Sequence, residues 1–192
     1  MSETDAFWQG SFGDTYHQRN QVDWGARMPF WESAIQFTEC KSVLEVGCGP
    51  GWNLRAIQAV NHNIDAYGVD LNADAVRDAR SRGLDVQQTN ALGILGIHEP
   101  GSIDLVFTAG CLIHIPPKDL EATMKAIART SAGFVLAIEY EAEAEEEIDY
   151  RGHSGKLWRR PFGKLYEDIG LKLLSFGEAG GFDACTYWLM QK

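Results

Sequence analysis

The sequence predicts a three-layer α/β sandwich on a mostly parallel sheet that finishes in an antiparallel β-hairpin. Three observations predict it. From Ser42 onward, short β-prone apolar runs alternate with helical runs. The first of those runs ends in a glycine-rich turn that leads into a helix. The last two runs are separated only by Gly177-Glu178-Ala179-Gly180-Gly181, too short for a crossover helix, so they must pair antiparallel. Repeated β-α-β units need parallel strands and right-handed crossovers, which put helices on both faces of the sheet.

The first 40 residues carry Phe7, Trp8, Phe12, Tyr16, Trp24, Phe30, Trp31 and Phe37. The spacing of Trp8, Phe12 and Tyr16 predicts one helical face, interrupted by Gly10 and Gly13. Pro29 fits the first turn of a helix running to about Thr38. Residues 1–40 are read as a helical cap, or as a lid, because Tyr16, His17, Arg19 and Asn20 set polar tips beside aromatic bodies. Ser42–Val46 is a strand and Trp52–Val60 a helix. Ala66–Asp70 is a strand, and Ala73–Arg82 a helix capped by Asn72 and stopped by Gly83. Strands follow at Asp85–Gln88, Ile103–Thr108 and Gly133–Ile138, with a helix at Pro117–Arg129. The C-terminal part holds a helix at Phe162–Ile169, a strand at Leu171–Phe176 and a last strand from about Ala184 to Met190, which makes seven strands.

Charge and cysteines narrow the function. Lys and Arg number 17 against 27 Asp and Glu, a net charge of −10, and so acidic a body repels a phosphate backbone. A nucleic-acid partner is therefore not expected. No run approaches the length of a membrane span, and Met1–Asp14 lacks a basic region followed by an apolar one. Cys40, Cys48, Cys111 and Cys185 form no C-x-x-C pair and read as reduced thiols of a cytoplasmic protein. No histidine pair stands at metal-ligand spacing, and no Ser-His-acid set with an elbow appears, so neither a metal nor covalent catalysis is expected.

The strongest signal is Val43-Leu44-Glu45-Val46-Gly47-Cys48-Gly49-Pro50-Gly51-Trp52-Asn53. A dinucleotide turn reads G-x-G-x-x-G. Here the third glycine falls one residue early, with Trp52 in the close-packing position. Glu45 is also poorly placed beside a diphosphate, and suits a cationic ligand with an amino group and a sulfonium. Asp70 ends the next strand, 19 residues after Gly51, where a carboxylate can accept both ribose hydroxyls. Thr89-Asn90-Ala91 follows the third strand, where a side chain and a backbone amide can read an adenine edge.

With these residues the chain resembles the class I S-adenosylmethionine-dependent methyltransferases, a Rossmann-like sandwich. The resemblance implies S-adenosyl-L-methionine as cofactor and S-adenosyl-L-homocysteine as product. It implies that Gly47, Gly49 and Gly51 line the methionine end, that Asp70 binds ribose, and that Asn90 and Ala91 flank adenine. Glu45, Asn53, Leu71 and Ala109 complete the expected cofactor set, and residues 41–192 become the catalytic domain. Phe7-Trp8-Gln9-Gly10-Ser11-Phe12-Gly13-Asp14-Thr15-Tyr16 with Arg19-Asn20, and Tyr150-Arg151-Gly152-His153 with Lys156-Leu157-Trp158-Arg159-Arg160, resemble the methylases associated with pseudaminic acid biosynthesis. Small phosphonate O-methyltransferases look similar too. Both imply a small anionic methyl acceptor.

After the fourth strand comes Thr108-Ala109-Gly110-Cys111-Leu112-Ile113-His114-Ile115, without the Asp/Asn-Pro-Pro-aromatic run of base-amine methylation. His114 is either a structural ring or a base facing the transferring methyl. Glu139–Asp149 has seven acidic residues in eleven and reads as a solvated helix or loop face. The sign then inverts at Arg151, Lys156, Arg159, Arg160 and Lys164, with His153 among them. These cations either pair with the acidic run or form an anion pocket, and Gly152 tips the reading to the pocket by letting the backbone bend toward a ligand. The acceptor site is thus expected in an insert at about 140–164 with the N-terminal cap: Tyr16, Arg19, Asn20, Tyr140, Arg151, His153, Lys156, Arg159 and Arg160, with His114, His153 or Tyr16 as catalytic groups. The expected function is O-methylation of a small anionic metabolite such as a nonulosonic acid-type sugar, by a monomer or homodimer. Alternatives are methylation of another small carboxylate, a phosphonate or an amine, and a non-catalytic S-adenosylmethionine-binding sensor or scaffold. The glycine register disfavours a nicotinamide oxidoreductase.

Overall fold

Alternation along the central strands sorts the apolar residues into two cores. In the computed structural model, which describes residues 3–20 and 22–192 without the side chains of 17 and 18, strand β1 (Ser42–Val46) sends Val43 to one face of the sheet and Leu44 and Val46 to the other. Strand β4 (Ile103–Ala109) does likewise with Leu105 and Phe107 against Val106. His17, read as one of the polar tips, lies outside the described side chains.

Seven strands form the main sheet: β1, β2 (Asp65–Asp70), β3 (Asp85–Gln88), β4, β5 (Ser131–Glu139), β8 (Lys172–Glu178) and β9 (Thr186–Gln191). Their order is β3-β2-β1-β4-β5-β9-β8. The first five pair parallel, and β9 runs antiparallel to both β5 and β8. This is an α/β Rossmann-like sandwich with a terminal antiparallel hairpin. One core lies under α3 (Met28–Thr38), α4 (Trp52–Val60) and α5 (Ala73–Ser81), and the other under α6 (Pro117–Thr130) and α7 (Phe162–Asp168). Strand order reverses between β1 and β4, so the loops at their carboxyl ends splay apart and leave a crevice.

Two segments depart from the sequence reading. Residues 146–149, expected in a helix or loop face, form most of strand β6 (Glu146–Tyr150), paired with β7 (His153–Arg159) in a separate two-stranded sheet. Its acidic side chains are solvated as expected, but Ile148 and Tyr150 pack on the core, which a strand's alternation allows. The first 40 residues also divide. Helices α1 (Glu3–Gln9) and α2 (Ser11–Arg19), broken at Gly10, lie over the carboxyl ends of the strands. Helix α3 instead belongs to a sheet-covering layer, where its fully buried Trp31 meets Phe107 at 4.6 Å between ring centroids.

Candidate active site

The turn after β1 approaches its neighbours too closely for side chains. Gly47 sits at φ 77°, and a Cβ there would lie 2.5 Å from Cys111 Sγ. Gly49, at φ 52°, faces open space, so a ligand can reach its backbone. The Gly49 N–H donates to Asp70 Oδ2 at 2.7 Å, and the Asn72 N–H to Asp70 Oδ1 at 2.8 Å. Each carboxylate oxygen is thereby fixed, and the group presents the acceptor-only chemistry a ribose diol needs. Gly47, Gly49, Asp70, Leu71, Asn90, Ala91 and Ala109 all line one cleft.

Three predicted cofactor residues stand behind this wall. Gly51 opens α4, and a Cβ on it would strike Leu84 Cδ1 at 2.2 Å, so this glycine serves helix packing. Asn53 Nδ2 donates to Glu45 Oε1 at 2.6 Å and its Oδ1 accepts from Arg27 Nη1 at 2.9 Å. Glu45 is 2% exposed and its Oε2 has no partner among the described residues. Burial pushes its carboxyl up to about 8, against the Asn53 bond and nearby Arg27. Its unpaired Oε2 lies two residues before Gly47, and a donor carrying positive charge on sulfur and on an amino group, as S-adenosylmethionine does, would favour the ionised form that burial alone opposes.

The far wall is aromatic and comes largely from helices α1 and α2. Trp8 lies edge-on to Tyr16, with ring centroids 5.2 Å apart, and 4.5 Å from His114, and all three line the cleft. Trp8 Nε1 has no partner among the described residues. Tyr150 stands 5.0 Å from His114 and lies beside Tyr16. Burial first, then Tyr150, holds the Tyr16 phenol well above its usual range, so it stays protonated. One buried side chain ties these two helices to α5. Asn72 Oδ1 caps α5 by accepting from the Ala75 N–H at 2.9 Å, while Nδ2 donates to Trp8 O at 3.1 Å and to Asp14 Oδ1 at 2.9 Å.

His114 ends a 3-10 turn, Leu112–His114. Its Nδ1 lies 2.6 Å from Lys156 O. A carbonyl only accepts, so Nδ1 carries the hydrogen and Nε2 the lone pair. Burial pushes the ring down to about 4, so it is neutral near pH 7.

The predicted cations do not converge. Arg160 is fully buried, donating from Nε to Glu145 at 2.7 Å and from Nη1 to Leu112 O at 3.0 Å. Lys156 pairs with Glu3 of α1 at 3.6 Å, and Arg159 with Glu146 at 3.8 Å. Arg19 folds back on Thr15 and the Phe12 ring. His153 is exposed and packs on Phe7 and Phe12, away from the cleft wall, and half-buried Tyr140 also stands off it. Gly152, expected to bend the backbone toward a ligand, is instead the second residue of the β6–β7 turn, at φ 81°. Arg151 occupies the turn's first position at φ 53° and donates to Asn20 Oδ1 at 3.2 Å, beside Tyr16. Sequence reasoning missed Trp8 as a cleft wall, Asn72 as the lid's anchor, Arg27 behind Glu45, and Glu139, which holds the turn of His114.

Among the described residues no group of three His, Cys, Asp or Glu side chains could hold a metal ion, and no helix is long and apolar enough to cross a membrane. Residues 43–132 match a family model described as a methyltransferase domain. No curated protein matches the chain. Solved structures do. A S-adenosylmethionine-dependent methyltransferase from Archaeoglobus fulgidus superposes with a TM-score of 0.71 at 14% identity, over 95% of this chain and 100% of that one. The 1,6-didemethyltoxoflavin-N1-methyltransferase of Burkholderia thailandensis, with bound S-adenosylhomocysteine, gives 0.76 at 16% over 99% and 89%. A sugar N-methyltransferase from Streptoalloteichus gives 0.70 at 15% over 95% and 93%. At such identities the likeness speaks for the fold.

Proposed function

We propose that this S-adenosylmethionine-dependent methyltransferase methylates a hydroxyl of a small, acid-bearing ring compound, with an acidic sugar of the nonulosonic type as the substrate class. When bound, the cofactor supplies a sulfonium-activated methyl group. Asp70 holds its ribose, Asn90 and Ala91 its adenine, and Gly47 and Gly49 give its amino-acid end close access to the backbone. Residues 3–20 act as the lid, excluding water from the transfer.

The observation that carries the hydroxyl assignment is the tautomer of His114 on the cleft wall. A carboxylate or phosphonate oxygen attacks without losing a proton, whereas a hydroxyl must lose one as its new bond to carbon forms. His114 Nε2 accepts that proton. The ring's low proton affinity suffices because the hydroxyl hydrogen turns acidic as the oxygen gains a methyl group. Trp8 and Tyr16 suit the flat C–H face of a sugar ring, and Trp8 Nε1 supplies a donor. Arg151 supports the acidic group: an arginine stands where Asn or Gly would be unstrained, and its guanidinium bonds Asn20 and acts on Tyr16, which lines the cleft.

The test is a product screen by mass spectrometry across acidic sugars, their nucleotide-activated forms, small carboxylates, phosphonates and amines. A base-stable methyl ether on an acidic sugar, with Arg151→Asn raising KM several-fold and leaving the S-adenosylhomocysteine Kd unchanged, is expected. A methyl ester or an N-methyl product overturns the hydroxyl assignment.

A further inference from the structure

We infer that Glu139 is a positioning residue for the transfer: its carboxylate grips the turn that carries His114 and so holds that ring at the cleft wall. The inference rests on the reading of His114 as the proton acceptor.

Glu139 ends β5 and is fully buried. Its Oε1 accepts the N–H groups of Cys111 at 3.1 Å and Leu112 at 3.0 Å, and Oε2 accepts that of Ile113 at 3.3 Å. These are the leading N–H groups of a 3-10 turn, which find no partner inside the turn. Within it, the His114 N–H reaches Cys111 O at 3.0 Å. Arg160 takes the opposite pole, donating to Leu112 O, and Lys156 O holds the ring itself. The turn is thus gripped at its amino end by a carboxylate, at a carbonyl by a guanidinium and at its imidazole by β7. Three leading N–H groups call for an acceptor on both carboxyl oxygens. An amide in place of the acid turns one of these acceptors into a donor, leaving at least one buried N–H without a partner.

The same geometry ties the turn to pH. Protonation puts a hydrogen on one of the two accepting oxygens, and burial raises the Glu139 carboxyl to about 7 against its three N–H bonds. The titratable groups facing it are Arg160 at the end of β7, Tyr166 on α7, Cys111 in the turn and Cys185 before β9. Burial raises the phenol and both thiols, so they stay neutral near pH 7, and Arg160 stays charged. Only the carboxyl changes charge there.

The test reads the ring N–H of His114 by NMR in ¹⁵N-labelled protein saturated with S-adenosylhomocysteine, assigned by its loss in His114→Gln. In the wild type at pH 8 a protected Nδ1–H is expected, and its exchange should quicken as pH falls through about 7. In Glu139→Gln, with cooperative melting retained, exchange at pH 8 should quicken at least tenfold while the S-adenosylhomocysteine Kd stays within about threefold. Glu139→Asp, which keeps both acceptor oxygens, should fall between the two, and it decides the matter if Glu139→Gln does not fold. Wild-type protection in either folded variant overturns the inference. Quickened exchange in Glu139→Gln with normal turnover in His114→Gln overturns the proton-acceptor reading and confines Glu139 to holding the turn.

Discussion

Gly47, Gly49 and Asp70 enter the cleft from two successive strand ends of one β-α-β unit, and backbone N–H groups fix them. Trp8, Tyr16 and His114 reach the other end from the first two helices and from the turn after β4, and Arg151 of the β6–β7 turn bonds Asn20 at the end of α2. The cofactor end is held by backbone and glycine conformation. The acceptor end is held by side chains that bridge distant segments, such as Asn72 to the lid and Glu139 to the His114 turn. A site fixed by local backbone constrains its sequence to a short motif. One fixed by distant side chains can change its ligand through a few substitutions while the sheet stays as it is.

Substitutions at the two ends should separate binding from turnover. The largest effect belongs to Asp70→Ala, which removes two charge-assisted loop bonds together with the proposed ribose contact, and calorimetry should show S-adenosylhomocysteine affinity falling about 100-fold or more. Unchanged affinity would leave the cofactor end without its anchor. His114→Gln should lower kcat about 100-fold and leave that affinity within about threefold. A parallel loss of affinity would dissolve the distinction between the ends.

Stability should carry a mark of the cofactor end too. Glu45 at about 8 and Glu139 at about 7 bind protons in the folded protein that the unfolded chain, with carboxyls near 4.5, has released. Their contribution is full below about 4.5 and is lost as pH rises through 7 and 8. His114, at about 4 when folded, works in the opposite sense, but only below its usual 6.5. From pH 6.5 to 8 the protein should therefore lose about 2 kcal/mol, most of it through Glu45. Denaturant melts should show the loss, and Glu45→Gln should flatten it. The smallest effect expected is that of Asn72→Asp, which keeps the α5 cap but sets an anion against Asp14. Stopped-flow should find S-adenosylhomocysteine leaving about tenfold faster with little change in Tm, a cost of about 1.4 kcal/mol to the lid alone.

Legibility follows the same division. The parallel layering, the terminal hairpin and the pairing of the Gly47–Gly51 turn with Asp70 could be read from the chain because β-α alternation, glycine register and strand-end acids are local signals. The cation cluster at Arg151–Arg160 could not, because alternation along β7 sends neighbours to opposite sides and charge does not tell which. Arg160 went inward because Glu145 and Leu112 O meet it there. Glu139 was hidden in the acidic run it opens, although its place at the end of the apolar run Phe134–Ile138 marks an acid at the tip of a buried strand. Glu45 was legible as an acid beside the turn, but its place behind the wall depends on Asn53 and Arg27, and no spacing announces that pairing.

A crystal structure with S-adenosylhomocysteine bound tests the division most directly. The account predicts adenine beside Asn90 and Ala91, ribose hydroxyls on Asp70, and the sulfur turned toward the Gly110–His114 segment with the His114 ring across the open space. Ribose away from Asp70, or a sulfur facing away from His114, would contradict it.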